Sequence, residues 1–529
     1  MPSTDRQTAL DLYKYVKYFL QERNSYLSLS SASPDLNIPL YLRSSVELEE
    51  RLRQVSKHKP PYDKQVTALR ISLRDHYERI VLLDYELSQS KEVEQNLWKY
   101  VYYKFIEEYR KKIRASLNSG EKSKGAPRKL SSAFRSFLQE ATGFYHDFVK
   151  KLAVHFGLKQ LDPIIQKFGS TLESTDTSHC PYDDDIKQKV VLSCHKILIF
   201  LGDLARYREL QNDKLRKNWS TACDYYNNAR QLVPESGNPH NQLAVIATYN
   251  ADDLSAVYHY YRSLVLRYPF LTAKDNISLL FQKVMKSSTE TSERVQENSR
   301  EIGNRRRFSH QRQTNKSRTG DATQSFFADF IRLHSILYLR EGIEFYSELK
   351  NSELNKLREL TQARALDSDQ LLKFTVINMA ALYVIRRTSN GENAHSDHGL
   401  KATNSAHSQS SKKFLVEKHA VMLILDTLST LLEMCNFELT DVVNGGLEQN
   451  RNAVQILPAP IKRSLMSIRV SVKWIYSSLD YLTRISTQIS NDPFLKDEFV
   501  NFARFWEQFA KFLNTMERLF PHEHGAPLD

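Results

Sequence analysis

Three pairs of identical residues, Ala222 and Ala256, Tyr226 and Tyr260, and Leu232 and Leu266, each stand 34 residues apart. That is the length of a helix-turn-helix unit of tetratricopeptide type. A recurrence at this period restricts the segment to stacked helical hairpins, since each hairpin buries its apolar face only against a neighbour. Between the units, Glu235-Ser236-Gly237-Asn238-Pro239 supplies a Gly suited to a left-handed helix cap, an Asn suited to cap the next helix and a Pro suited to its first turn. Two such units stack at most, which predicts a short solenoid.

Helical spacing extends through most of the chain. Apolar residues recur mainly at three and four, and only 15 of 529 residues are Gly, so an all-α protein is expected. The hydrophobic content of 41% is enough for a large core. Residues 1–25 predict a helix with Ala9, Leu12, Tyr13, Val16, Phe19 and Leu20 on its apolar face. Residues 26–60, rich in Ser and Pro, predict a loop with one short helix at Val46–Val55. Asp63 to Arg114 predicts two helices broken near Gln89–Glu92, followed by helices at Leu130–Phe156 and Ile186–Arg208. Beyond the repeats, Phe326–Lys350 predicts one long helix, and further helices are expected at Leu371–Arg387, 414–437, 461–484 and 494–519. In the last of these, Phe499, Phe502, Phe505, Trp506, Phe509 and Phe512 form a stripe that predicts core. Apolar periodicity lapses in 287–325, a basic low-complexity linker, and in the Ser-, Asn- and His-rich insertion 388–413.

The N-terminus has no cleavage-type apolar core. Asp426 interrupts Ala420–Met434, which is expected to be too short and too polar to cross a bilayer. A soluble protein of the cytoplasm and nucleus, without a membrane partner, is therefore expected. Four scattered cysteines, Cys180, Cys194, Cys223 and Cys435, predict reduced thiols. His179-Cys180 and Cys194-His195 lack the CxxC spacing of a zinc site, so no metal is expected. Phosphate-loop, GxSxG and HExxH motifs do not occur, and the expectation is a non-enzyme without cofactors.

A net charge of +12 attracts polyanions without choosing among them. The densest basic stretch, Arg300 to Arg318, has seven Arg or Lys and one Glu. Arg305, Arg306, Arg307, Arg312, Lys316 and Arg318 are its candidate nucleic-acid contacts, and the bland alternative is a solvated linker.

GDLARYR at 202–208, YYNNARQLVPESGNPHNQLAVIA, AVYHYYRSLVLRYPFLTAKDNI and VEQNLWKYVYYKFIEEYR at 93–110 resemble the Est/SMG family. That family contains the yeast telomerase regulatory subunit and the SMG-type adaptors of nonsense-mediated mRNA decay. The resemblance implies a 14-3-3-like helical domain with tetratricopeptide-type repeats over 1–286, then a helical-hairpin extension over 326–519. It places the family's phosphate-contacting Lys and Arg at Lys104 and Arg206, with a one-residue gap after Trp98 in the alignment. Tyr207 would complete the shell, and Lys111, seven residues past Lys104, returns to the same helix face. Such a group suits a phosphoserine or phosphothreonine. The bland alternatives are an Arg206–Asp203 pair at i−3 and a Lys104–Glu108 pair at i+4. By resemblance the partner is the phosphorylated up-frameshift RNA helicase of the decay pathway. The rival is a telomerase-associated subunit holding telomerase RNA or single-stranded telomeric DNA, and a third reading is a scaffold that pairs with a related 14-3-3-like protein.

Overall fold

The computed structural model describes residues 34–118, 125–169, 182–212, 215–301, 315–391, 405–444, 457–490 and 496–519. Among them no strand forms, and a single parallel bridge joins Ser236 to Tyr268. The helix expected at 1–25 lies outside the described residues, as do Arg305, Arg306, Arg307 and Arg312. The chain divides into two compact units, Met1–Pro234 and Glu235–Asp529.

The first unit opens with α1 (Pro34–His58) and α2 (Lys64–Leu83). The loop expected over 26–60 is thus helical from Pro34 on, straight through Pro39. Ile38, Ser45 and Leu52, seven residues apart, are all buried and give α1 a continuous seam despite its low apolar content. Asp63 caps α2 by accepting from the N–H groups of Gln65 and Val66. The break expected near Gln89–Glu92 occurs, with Glu92 left-handed at φ 53°, and a further break falls at Asp84, the cap of a short helix.

The next helical run contains a π-helical segment, Leu97–Tyr103, before α3 (Lys104–Asn118). A π turn holds one residue more than an α turn, and the one-residue gap of the family alignment after Trp98 falls within this segment. The segment sets Trp98 flat against Phe200, with ring centroids 4.3 Å apart and planes at 3°. Phe200 belongs to α5 (Asp184–Leu210), which packs on α4 (Gly125–Phe156) and on α6 (Ser220–Leu232). Val101, Ile106, Phe134, Val149, Leu198 and Leu201 lie in this unit's core.

In the second unit, α7 (Asn238–Tyr249) and α8 (Asp253–Val265) form a hairpin, followed by α9 (Thr272–Glu301). Pro239 stands in the first turn of α7, as expected. Gly237, however, has φ −77° and does not act as a left-handed cap. Its need for hydrogen is steric, because a Cβ there would lie 2.2 Å from the Ser263 carbonyl oxygen and 2.9 Å from the Phe270 nitrogen. Ala256, Tyr260, Tyr261, Ile277 and Phe281 pack against Phe326, Phe330 and Phe374 of α10 (Asn315–Leu339) and α12 (Ser368–Gly391).

The polar stretches on either side of 302–314 continue α9 and α10, since Glu, Gln, Lys and Arg favour helix even without an apolar stripe. The long helix expected over 326–350 is two. Arg340 and Gly342 turn left-handed at φ 60° and 71°, and α11 (Tyr346–Gln362) follows. Similarly, 461–484 breaks at Ser478 into α14 (Ala459–Ser477) and α15 (Leu479–Ser490).

The axis of the second unit is α13 (Ser405–Asn444). Its Phe414–Thr440 stretch is long and apolar enough to cross a membrane, contrary to the expectation drawn from Asp426 alone. Yet 83% of its most apolar window is buried inside the protein. Around it pack α11, α14 and α16 (Lys496–Leu519), with Phe502, Phe505 and Phe512 of the aromatic stripe in the core.

Candidate functional site

The GDLARYR motif forms the last turns of α5, where burial and charge meet. Arg206 is only 9% exposed, and its Nη2 donates to Oδ1 of Asp203 at 2.7 Å. The same carboxylate oxygen accepts from the Tyr226 hydroxyl of α6 at 2.7 Å, and Nε of Arg206 donates to that hydroxyl at 3.3 Å. The bland expectation for Arg206 is therefore met in its ion pair. Burial alone would lower its pKa, but Asp203 and Tyr226 together hold it above the ordinary arginine value, so the guanidinium stays charged.

Tyr207 is buried beside it, with the Arg206 guanidinium 4.8 Å from its ring centroid. A second guanidinium, that of Arg110 on α3, lies 4.9 Å from the same centroid. Arg110 is half-buried and has no ion pair among the described residues. Burial raises the Tyr207 pKa, as does Asp203, against the opposing pull of both arginines. Tyr103, the last residue of the π segment, and Glu107 of α3 share this face, and burial and Glu107 push the Tyr103 hydroxyl up to about 12. The structure thus collects two guanidiniums on one tyrosine ring, with the half-buried Asp203 carboxylate paired to one of them.

Lys104 takes a different position. It is exposed, its Nζ lies 4.2 Å from the Tyr100 ring centroid, and it lines a groove of about 220 Å³ with Leu52, Arg53 and Lys57 of α1. The pair expected with Glu108 does not form, because Glu108 binds Lys112 at 2.7 Å. Among the described residues no hydrogen bond, ion pair or ring contact joins Lys104 to Arg206. Lys111 is exposed. At about 100° per residue, Lys104 and Lys111 share one face of α3, while Arg110 lies about 120° around from Lys104.

Sequence reasoning missed Arg110, although it is the last residue of YKFIEEYR. The signal was the spacing Tyr103, Glu107, Arg110, which puts a polar stripe on the face turned to α5. Lys316 and Arg318 fall in the first turn of α10. His195 is hydrogen-bonded to the Ala229 carbonyl at 2.9 Å, Cys194 is buried with its thiol pushed up by desolvation, and Cys180 lies outside the described residues. Among the described residues no group of three or more His, Cys, Asp or Glu could hold a metal.

An all-helical protein that presents paired guanidiniums at the end of a long helix is equipped to hold an oxyanion. The chain belongs to the Est/SMG family. The family described as Est1 DNA/RNA binding domain matches residues 222–526, and that described as Telomerase activating protein Est1 matches 92–212. Nonsense-mediated mRNA decay factor SMG7 of Arabidopsis thaliana is 28% identical over 508 residues, 90% of this chain and 44% of its own length. Telomerase-binding protein EST1A of Danio rerio is 25% identical over 519 residues, 88% of this chain and 30% of its own. The chain thus spans less than half the length of either relative. A chain of the crystal structure of Est1 and Cdc13 aligns with a TM-score of 0.51 over 76% of each chain at 13% identity, a likeness of fold.

Proposed function

We propose that the chain is a phosphopeptide-binding adaptor of nonsense-mediated mRNA decay that recognises a phosphorylated Ser-Gln or Thr-Gln segment of the up-frameshift RNA helicase. The observation that carries this reading is the pairing of Arg110 and Arg206 on the Tyr207 ring. Asp203 and Tyr226 fix the Arg206 guanidinium, so little side-chain freedom is left to lose when an anion arrives. Arg110, without a carboxylate of its own, supplies the uncompensated charge. A phosphoryl group offers three acceptor oxygens, which suits two guanidiniums from separate helices. Lys104 and Lys111 lie on another face of α3 and would meet acidic residues of the ligand away from the phosphoryl group. The relatives named for decay support the pathway.

Charge-assisted hydrogen bonds are worth roughly 1.5–3 kcal/mol each, so losing one guanidinium should weaken binding about tenfold or more. The test is fluorescence anisotropy with a helicase peptide carrying one phosphorylated Ser-Gln, against its unphosphorylated twin. The phosphorylated form should bind, and Arg206→Glu and Arg110→Glu should abolish binding while circular dichroism shows intact helices. Equal affinity for both peptides would reject the proposal.

A second reading, nucleic-acid binding in telomere maintenance, is favoured by the match over 222–526 to a family described as DNA/RNA binding. Its distinguishing mark is steep weakening with salt and dependence on Arg305, Arg306 and Arg307.

A further inference from the structure

In the second unit, three helices enclose a polar cleft of about 240 Å³, the room of about eight water molecules. Asn351 and Asn355 of α11 form one wall, Ser429 and Glu433 of α13 the floor, and Asn501 and Arg504 of α16 the other wall. Asn436 donates to the Gln508 carbonyl at 3.0 Å and to its side chain at 3.1 Å, which ties α16 to α13 next to the cleft and fixes where Arg504 stands.

The charges in the cleft do not cancel. Arg504 Nε binds Oε1 of Glu433 at 2.8 Å, and Arg358 Nη2 binds Oε2 of the same carboxylate at 3.2 Å. Asp426, at the edge, is taken by Lys350 at 2.8 Å. Two guanidiniums on one carboxylate leave a net positive charge. Arg358 spends its other outer nitrogen on Asn355 Oδ1 at 3.1 Å. Arg504 spends only Nε, which leaves its Nη1 and Nη2 edge, on a side chain 57% exposed, without a partner among the described residues. That edge is the part of a guanidinium that grips a carboxylate with two parallel hydrogen bonds. Asn351 and Asn501 each present an amide with both donor and acceptor, the complement of a peptide backbone. Ser429 adds a hydroxyl with no hydrogen bond among the described residues, although the residue is 7% exposed.

We propose that this cleft binds an acidic peptide segment, seating one Glu or Asp carboxylate on the free edge of Arg504 and pairing the adjacent backbone with Asn351 and Asn501. A nucleic-acid backbone fits less well, because the cleft offers one free guanidinium edge whereas a nucleic acid presents an anion at every nucleotide. The site lies in a different unit from Arg110 and Arg206 and does not depend on phosphate recognition there.

The test uses the full chain and a fluorescein-labelled dodecapeptide of alternating Ser and Glu, with a Ser-Gln peptide of equal length and a single-stranded RNA dodecamer as comparisons, all followed by anisotropy. Saturable binding of the Glu peptide is expected, at least about tenfold tighter than the Gln peptide, with about tenfold loss in each of Arg504→Gln and Asn501→Asp. Asn501→Asp alters a half-buried position without breaking an ion pair, so it reads the cleft even where Arg504→Gln loosens α16. No saturable binding by the wild-type chain, or unchanged affinity in both variants, would overturn the proposal. So would loss on Arg110→Glu alone, which would put the peptide in the first unit, or RNA binding with the same sensitivity to both cleft variants.

Discussion

A methyl group added at Gly202 would lie 2.3 Å from Cε1 of Tyr226, a ring that is fully buried and tethered through its hydroxyl to Asp203. The glycine of GDLARYR is therefore there for close approach, and the approach sets the hydroxyl that holds Arg206. Gly202→Ala should cost about 1–3 kcal/mol by overpacking, seen as an earlier urea midpoint; an unchanged midpoint would mean that the ring can move. A second residue sets a pH dependence. Glu353 of α11 is 3% exposed, and neither carboxylate oxygen has a hydrogen-bond partner among the described residues. Burial, with Asp329 and against Lys356, pushes it up to about 9 from an ordinary 4.5. The folded state keeps this proton where the unfolded chain has released it, so its contribution is complete below pH 4.5 and is lost as pH rises through about 9. Wild-type stability should fall relative to Glu353→Gln by roughly 1.4 kcal/mol per pH unit in that window. Urea titrations at pH 5.5 and 8 check this, and an equal gain from the substitution at both would contradict the burial account.

At the scale of elements, the π segment links alignment to geometry. The π segment leads directly into α3 and so helps set the register at which Arg110 meets Tyr207. Deleting exposed Lys99 should convert the segment to regular α-helix with little loss of stability and with phosphopeptide binding retained. Circular dichroism and anisotropy on the deletion variant measure both, and unfolding would show that the π turn itself is required. Helices with a strong apolar stripe, such as α4, α5 and α16, were legible in the sequence to within a few residues. The segment now seen as α1 was not, because Pro39 reads as a breaker while the seam of Ile38, Ser45 and Leu52 is thin. The turn at Arg340–Gly342 was hidden by apolar spacing that carries through it. The apolar length of Phe414–Thr440 within α13 was hidden by Asp426, whose charge is matched by Lys350, a residue 76 positions away in sequence.

Across the whole molecule, the two proposed binding sites lie in different units and differ in chemistry: paired guanidiniums in the first, a mixed polar cleft in the second. Adjacent motif residues, Arg206 and Tyr207, were singled out from sequence because resemblance and charge agree there. Arg110 was not, since helical spacing sets its face about 120° from that of Lys104 but does not say which face meets α5. The most direct measurement of the central claim is a double-mutant cycle on the full chain, Arg110→Gln, Arg206→Lys and both together, titrated with phosphorylated and unphosphorylated helicase peptides. If both guanidiniums hold one phosphoryl group, each single change should weaken the phosphorylated peptide about tenfold, the double change should cost less than the two combined, and the unphosphorylated peptide should be indifferent. Unchanged affinity of the phosphorylated peptide in Arg110→Gln, or two losses that simply add, would contradict a shared phosphoryl site.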